Sequence, residues 1–286
     1  MNLKKESNII IKIMFFTTIL FLSGCSNNFL LPKGEIAIKQ YSLIAIAFSL
    51  MLLIVVPVFI MIFFFVWKYK KNFYKNTYKP NWDHSNTIEL AIWFFPILII
   101  SILSYLSYQS AHELEPSKPL SSVIKPVKIE VVSLDWKWLF IYPEENIATI
   151  NEIVFPTNTP VEFRITSNSV MNSFFIPSLG SQIYAMPGMV SKLHLITNYP
   201  GFYKGISSNY SGRGFSDMKF KVLAINNQKL FHSWVKKVKK SYKKINNFNV
   251  FKKISIPDEN HFIEYFSDIN TGLFNKILKY NCESQD

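Results

Sequence analysis

Tyr41-Ser-Leu-Ile-Ala-Ile-Ala-Phe-Ser-Leu-Met-Leu-Leu-Ile-Val-Val-Pro-Val-Phe-Ile-Met-Ile-Phe-Phe-Phe-Val-Trp67 runs for 27 residues without a charged side chain. At a rise of ~1.5 Å per residue this makes about 40 Å of helix, more than the ~30 Å hydrocarbon core of a bilayer requires. Pro57 lies inside it, which a membrane helix tolerates when neighbours satisfy the freed carbonyl. A second span covers residues 88–108, with Glu89 near its start and Pro96 within. Tyr41, Trp67, Trp93, Tyr105 and Tyr108 fall near the span ends, where amphipathic rings prefer the headgroup zone. The connection, residues 68–87, carries Lys68, Lys70, Lys71, Lys75 and Lys79 against a single acid, Asp83. Positive loops stay in the cytoplasm, so the mature N-terminus and everything after Tyr108 face outward.

Working back from the first span, Lys4, Lys5 and Lys12 precede an apolar run from Ile13 to Leu22, and Leu22-Ser23-Gly24-Cys25 follows. A basic start, an apolar stretch of this length and a small-residue site form an export signal. The four residues resemble a bacterial lipoprotein signal, which implies removal of residues 1–24 and diacylation of Cys25. Residues 25–40 are then an outward N-terminal segment. Export of the N-terminus agrees with the orientation that the lysine loop sets.

The whole chain fits this division. It has 286 residues, 49% hydrophobic, 17% charged, with a net charge of +12. That composition excludes a disordered or acidic solvating chain. Two cysteines, Cys25 and Cys282, exclude a disulfide framework and a zinc site built on several thiolates. Of 31 basic residues only Arg164 and Arg213 are arginines, which argues against nucleic acid as a partner, because readers of bases and phosphates rely on the guanidinium fork.

Beyond the second span, residues 109–226 change to short apolar stretches separated by Pro, Asn, Ser and Gly, and Glu115 to Leu120 forms a linker leaving the membrane. Strands are expected at 128–134, 138–142, 154–155, 161–166, 173–176, 191–197, 201–206 and 219–225, several alternating with period two, as in Val161, Phe163, Ile165 and Phe220, Val222, Ala224. Short strands between turns point to an antiparallel sandwich or barrel. The class is membrane α plus all-β. In residues 227–286, Leu230, Phe231, Trp234, Val235 and Val238 repeat at helical spacing, with Lys236, Lys237, Lys240 and Lys244 largely opposite, and a shorter helix is expected at about 271–280.

The segment Gly201-Phe-Tyr203-Lys-Gly205-Ile-Ser207-Ser208-Asn209-Tyr210-Ser211-Gly212-Arg213-Gly214-Phe215-Ser216-Asp217-Met218 carries a resemblance. It is similar to the ligand loop of haem–copper oxidase subunit II, G-x-Y-x-G-x-C-S-E-x-C-G-x-x-H-x-x-M, which holds a dinuclear copper centre at one end of a cupredoxin-like Greek-key barrel. The frame survives at Gly201, Tyr203, Gly205, Ser208, Gly212 and Met218. Both cysteine positions are serine (Ser207, Ser211), the glutamate is Asn209, the histidine is Phe215, and the upstream ligand histidine falls on Asn172. A copper–thiolate centre needs soft sulfur and imidazole donors, and five of these six positions do not supply their usual one. The chain therefore resembles the copper-free branch, subunit II of cytochrome bo-type ubiquinol oxidases. The likeness also covers Leu114 to Leu120 and Ser181 to Met189.

That resemblance implies a two-helix hairpin, an outward domain without metal, and haem, copper and ubiquinol held by a catalytic subunit I in the inner membrane, with other small membrane subunits alongside. It places Trp136 and Trp138 at a partner-docking position, where copper-bearing relatives receive electrons. It gives Glu89 a place near a proton-uptake mouth; an interfacial acid paired with loop lysines is the other account. Five histidines, His84, His112, His194, His232 and His261, show no ligand spacing, and no catalytic constellation stands out. Two alternatives share the layout: a copper-bearing cytochrome c oxidase subunit II, and a free-standing envelope lipoprotein that binds a ligand or metal.

Overall fold

Helix α1 (Glu35–Lys68) and helix α2 (Asn86–Glu113) outrun the charge-free stretches that announce them, with 34 and 28 residues. The structure, a computed structural model, describes residues 32–69, 83–120 and 124–283. The expected signal segment, Cys25 and Lys70, Lys71, Lys75 and Lys79 lie outside these. At about 1.5 Å per residue the helices measure roughly 51 and 42 Å, so each projects beyond a bilayer core.

The reason for the overhang of α1 is tertiary. Ile36 and Ala37 are buried, and Ile36 belongs to the core of the β domain. Just before the helix, the amides of Lys33 and Gly34 both donate to the Ser178 carbonyl at 2.8 and 3.1 Å, and Thr197 Oγ1 donates to the Lys33 carbonyl at 3.1 Å. A Cβ on Gly34 would sit 2.2 Å from the Leu179 carbonyl oxygen, so only glycine permits this approach. Gln40 hydrogen-bonds Ser181. The far end of α2 returns to the same place: Lys39 Nζ meets Glu113 Oε1 at 2.6 Å, and the Pro116 carbonyl accepts the His194 amide at 3.1 Å. The stretch expected to be a linker is thus fastened, with Leu114 and Leu120 packed against the core.

The outward domain has two sheets, ordered β11-β3-β2-β1-β5-β8 and β4-β10-β9-β6-β7. The first comprises β1 (Val127–Leu134), β2 (Lys137–Tyr142), β3 (Ile147–Ile150), β5 (Val161–Ser167), β8 (Ser191–Leu195) and β11 (Glu264–Phe266); the second comprises β4 (Glu152–Pro156), β6 (Asn172–Phe175), β7 (Ile183–Ala185), β9 (Gly201–Ser207) and β10 (Lys219–Ile225). The expected antiparallel pattern needs amending, because β1 pairs parallel with β5 and β4 parallel with β10. Trp138, Phe140 and Tyr142 from the first sheet meet Phe155, Phe174 and Phe220 from the second in one aromatic core. Phe174 and Phe220 stack at 5.1 Å, and Trp138 meets both edge-on. The buried Tyr142 hydroxyl donates to the Val154 carbonyl at 3.0 Å and accepts the Val154 amide at 2.9 Å, pinning β2 to β4 across the sandwich. Burial pushes that phenol's pKa far above its usual range.

Strands β1 and β2 hardly alternate: every residue of β2 is buried. A strand buried on both faces needs a second cover, and the C-terminal segment provides it. Helix α3 (Gln228–Val238) closes one part of the first core through Phe231, Val235 and Val238, whereas Leu230, expected on its apolar face, is exposed. Helices α4 (Phe248–Ile254) and α5 (Leu273–Glu283) then lay Phe251, Leu273, Phe274 and Ile277 over Val132, Leu134, Leu139 and Ile141 on the outer side of the first sheet. At about 1.5–3 kcal/mol per large apolar side chain buried, this layer is a structural element and no mere tail.

Candidate functional site

The degenerate ligand loop sits between β9 and β10, with one turn of 3-10 helix at Phe215–Asp217 leading into Met218. Antiparallel pairing of β6 with β9 sets Phe174 opposite Ser207, which brings Asn172 at the start of β6 to the end of β9. Ser207 Oγ donates to Asn172 Oδ1 at 3.1 Å, and both side chains are buried. Asn172 Nδ2 donates to the Val170 carbonyl at 3.2 Å, and Asn209 Nδ2 to the Met171 carbonyl at 3.1 Å. Ser211 Oγ lies 3.9 Å from Met218 Sδ, and Met218 is buried in the aromatic core. Phe215 packs edge-on against Tyr210 at 5.6 Å.

Two contacts thus join members of the set, Ser207 with Asn172 and Ser211 with Met218, while Asn209 and Phe215 are held by Met171 and Tyr210. A dinuclear copper centre does not fit the six positions. The set offers two carboxamides, two hydroxyls, a thioether and a phenyl ring, none of them a thiolate or imidazole, and the Ser207 hydroxyl and the Asn172 carbonyl are already joined. Among the described residues no three His, Cys, Asp or Glu side chains form a metal-ligand group. A neutral, internally bonded cluster leaves no charge to be compensated at this depth.

Trp136 explains what the glycines of the loop do. It adopts φ 63°, unusual for an aromatic residue, in the two-residue turn between Leu134 and Lys137. Its Nε1–H donates to the Ser211 carbonyl at 3.0 Å. A Cβ on Gly214 would fall 2.5 Å from the indole, and one on Gly212 would fall 3.5 Å from it. The loop is thus shaped around a tryptophan that is half-buried against its own domain. Trp138 requires a correction: it is fully buried between Phe174 and Phe220, so it has no surface to offer a partner. Trp136 differs because it lies in the turn before β2, with a left-handed backbone, and not in the strand.

Glu89 stands in the first turn of α2, more than half exposed, with Oε2 at 3.6 Å from His84 Nδ1. Among the described residues its partner is a histidine, a pairing the charge pattern alone did not suggest. Other residues that motif comparison missed support the loop from β7 and its approach: Ser208 Oγ donates to Gln182 Oε1 at 2.5 Å and also meets Ser173 Oγ at 3.0 Å. Around the loop, Val170, Met171 and Tyr210 present apolar surface, Tyr210 being 75% exposed.

The chain is 50% identical over 278 residues to cytochrome bo(3) ubiquinol oxidase subunit 2 of Buchnera aphidicola subsp. Baizongia pistaciae, covering 97% of both chains. The chain belongs to the subunit II family of ubiquinol oxidases. The member from Pseudomonas putida is 52% identical, over 96% of this chain and 87% of its own, and the quinol oxidase subunit 2 of Bacillus cereus strain ATCC 14579 is 38% identical, over 86% and 85%. Residues 127–225 match the family described as cytochrome c oxidase subunit II, periplasmic domain, which spans β1 to β10 of this ubiquinol oxidase subunit II. A solved structure, the periplasmic domain of subunit II of cytochrome oxidase of Bradyrhizobium japonicum, is 24% identical with a TM-score of 0.39, covering 42% of this chain and 98% of its own.

Proposed function

We propose that this chain is the second subunit of a proton-pumping ubiquinol oxidase, in which it scaffolds and caps a haem-bearing catalytic subunit and carries no redox centre of its own. The observation that carries this reading is the closed, neutral cluster of Asn172, Ser207, Asn209, Ser211 and Met218 where electron-transfer relatives place copper ligands. Relatives named as ubiquinol oxidase subunits along nearly the whole chain support it. Quinol oxidation, dioxygen reduction and the haem, copper and quinol sites then belong to the partner.

Two helices long and apolar enough to cross a membrane anchor the subunit, and the domain that follows them corresponds to a periplasmic one. The docking surface centres on the loop. Val170, Met171 and Tyr210 form an apolar rim there, suited to a permanent partner, since lasting interfaces are more apolar than transient ones. The uncovered part of Trp136 belongs to the same rim. Cys25 carries the lipid, and Glu89 with His84 sits at the cytoplasmic edge of α2, where a carboxylate serves proton entry. Mass spectrometry of the mature N-terminal peptide tests the lipid directly.

Purification in mild detergent is the decisive experiment. The subunit is expected to co-elute with haem-containing partners in a complex that oxidises ubiquinol and not reduced cytochrome c, with no copper beyond that of the catalytic subunit. Elution of the chain alone, or two further copper atoms per complex, overturns the proposal.

A further inference from the structure

The C-terminal layer does more than cover the first sheet. Where α4, the following segment and β11 meet β2, a cavity of about 530 Å³ opens, and Lys137, Lys243, Lys244 and Lys253 all line it. No acid occurs between Asp217 and Asp258, so the layer brings its lysines here without matching carboxylates. Two acids do line the cavity, and both are engaged: Glu264 Oε1 accepts from Lys243 Nζ at 2.8 Å, and Asp258 Oδ2 faces His261 Nδ1 at 2.5 Å.

Donor capacity is left over. Lys137 is only 3% exposed, and its ammonium, which carries three N–H groups, donates to the Ile256 carbonyl at 2.9 Å. His261 is committed to the two acids, with Nδ1 facing Asp258 Oδ2 and Nε2 standing 3.7 Å from Glu264 Oε1, so the spare donors are ammonium groups. Lys244 and Lys253 form no ion pair among the described residues. Burial holds the Lys137 ammonium below its usual pKa, against the pull of Asp258, Glu264 and Asp135, so an added anion would stabilise its charge. Ile150, Val250 and Phe266 add apolar surface to the lining.

We propose that this cavity binds a phosphoryl anion through Lys137, Lys244 and Lys253. The donor chemistry selects the class. No arginine lines the cavity, so the planar fork that grips a carboxylate with two bonds is missing, whereas several separate ammonium groups suit a tetrahedral anion with oxygens on all sides. The volume accommodates a phosphate ester as well as the free ion. None of the six degenerate copper-ligand positions lines the site, although Arg213 of that loop reaches Glu259, next to Asp258, at 2.8 Å.

The test is calorimetric titration of the purified complex with inorganic phosphate, with chloride at matched ionic strength as the control. Saturable binding is expected, weakened at least tenfold in the double variant Lys244→Gln/Lys253→Gln, whose side chains are exposed and hold no part of the fold. A parallel titration in nanodiscs distinguishes the source. Phosphate binding lost when anionic phospholipid replaces neutral lipid identifies a headgroup as the ligand; phosphate binding indifferent to lipid charge identifies a soluble phosphate. Absence of saturable phosphate binding in neutral lipid, or binding unchanged in the double variant, overturns the proposal.

Discussion

The indole of Trp136 hangs from the carbonyl of Ser211 by a 3.0 Å hydrogen bond. The two residues are 75 apart in sequence, and the bond joins the turn of one sheet to the loop of the other. It holds a tryptophan at φ 63°, a conformation that costs on the order of 1–3 kcal/mol when unsupported. The loop that carries copper in other oxidases serves here as the seat for this ring.

Gly214→Ala tests that seat. Gly214 has φ −86°, which alanine adopts freely, so the whole penalty comes from a Cβ placed 2.5 Å from the indole. A loss of roughly 1–3 kcal/mol is expected, as for other overpacked sites. It should appear as a lower Tm of the complex in detergent, and Trp136→Phe in the same background should recover part of it. A Gly214→Ala complex with unchanged Tm contradicts the packing described.

Tyr142 bridges the sheets by giving and receiving a hydrogen bond at Val154. Tyr142→Phe keeps the ring and removes both bonds, leaving a buried amide and a buried carbonyl with one partner fewer. A destabilisation of about 1–3 kcal/mol is expected from such desolvated groups. Faster hydrogen exchange at the amide of Val154 would locate the effect, and unaltered exchange there would refute it.

Glu130 makes the pH dependence specific. It accepts from Arg164 Nη1 at 2.9 Å, yet burial outweighs the guanidinium and raises its pKa above the usual 4.5. A raised carboxyl holds its proton more tightly in the folded chain than in the unfolded one. Its contribution to stability therefore grows as pH falls from neutral through the folded pKa, and is complete below about 4.5. The Tm difference between the natural protein and Glu130→Gln should move in favour of the natural protein on acidification from pH 7 to 5. Parallel curves would show that burial and Arg164 cancel, and movement against the natural protein would show that Arg164 dominates.

Gly34→Ala probes the attachment of α1. With 2.2 Å between the added Cβ and the Leu179 carbonyl oxygen, backbone must move, and the paired bonds from Lys33 and Gly34 to Ser178 should break. The expected sign is new proteolytic cleavage near residues 32–40 in the assembled complex. Continued resistance to protease would mean that the contact at Ile36 alone secures the joint.

Much of this was legible in the residues. The membrane helices declared themselves by the absence of charge between Tyr41 and Trp67, and the ligand loop by its frame of glycines. The helix starts were not, because Glu35 to Gln40 is helical only by virtue of Ile36 packing into another part of the chain. Strand β3 escaped notice because it is four residues long and flanked by Asn146 and Asn151 in left-handed turns, which resemble one loop. The second layer was half-visible: β2 reads Lys-Trp-Leu-Phe-Ile-Tyr, with too many apolar residues for a strand that has one wet face. The fate of Trp138 depended on which face the register assigns it. The hydrogen-bonded pairing of Ser207 with Asn172 needed the β6–β9 pairing, which connects residues 35 apart.

The two fastenings between helices and sheets carry a mechanical consequence. Residues 33–40 bind the loop at 178–181, residues 114–120 bind β8, and Lys39 joins Glu113, so two struts leave the bilayer and are fastened side by side to one body. A single strut would act as a swivel; a pair removes the freedom to rotate. Any tilt of the hairpin within the bilayer is passed as torque to the sandwich, and the attitude of the outer domain above the membrane becomes a property of this chain before any partner arrives.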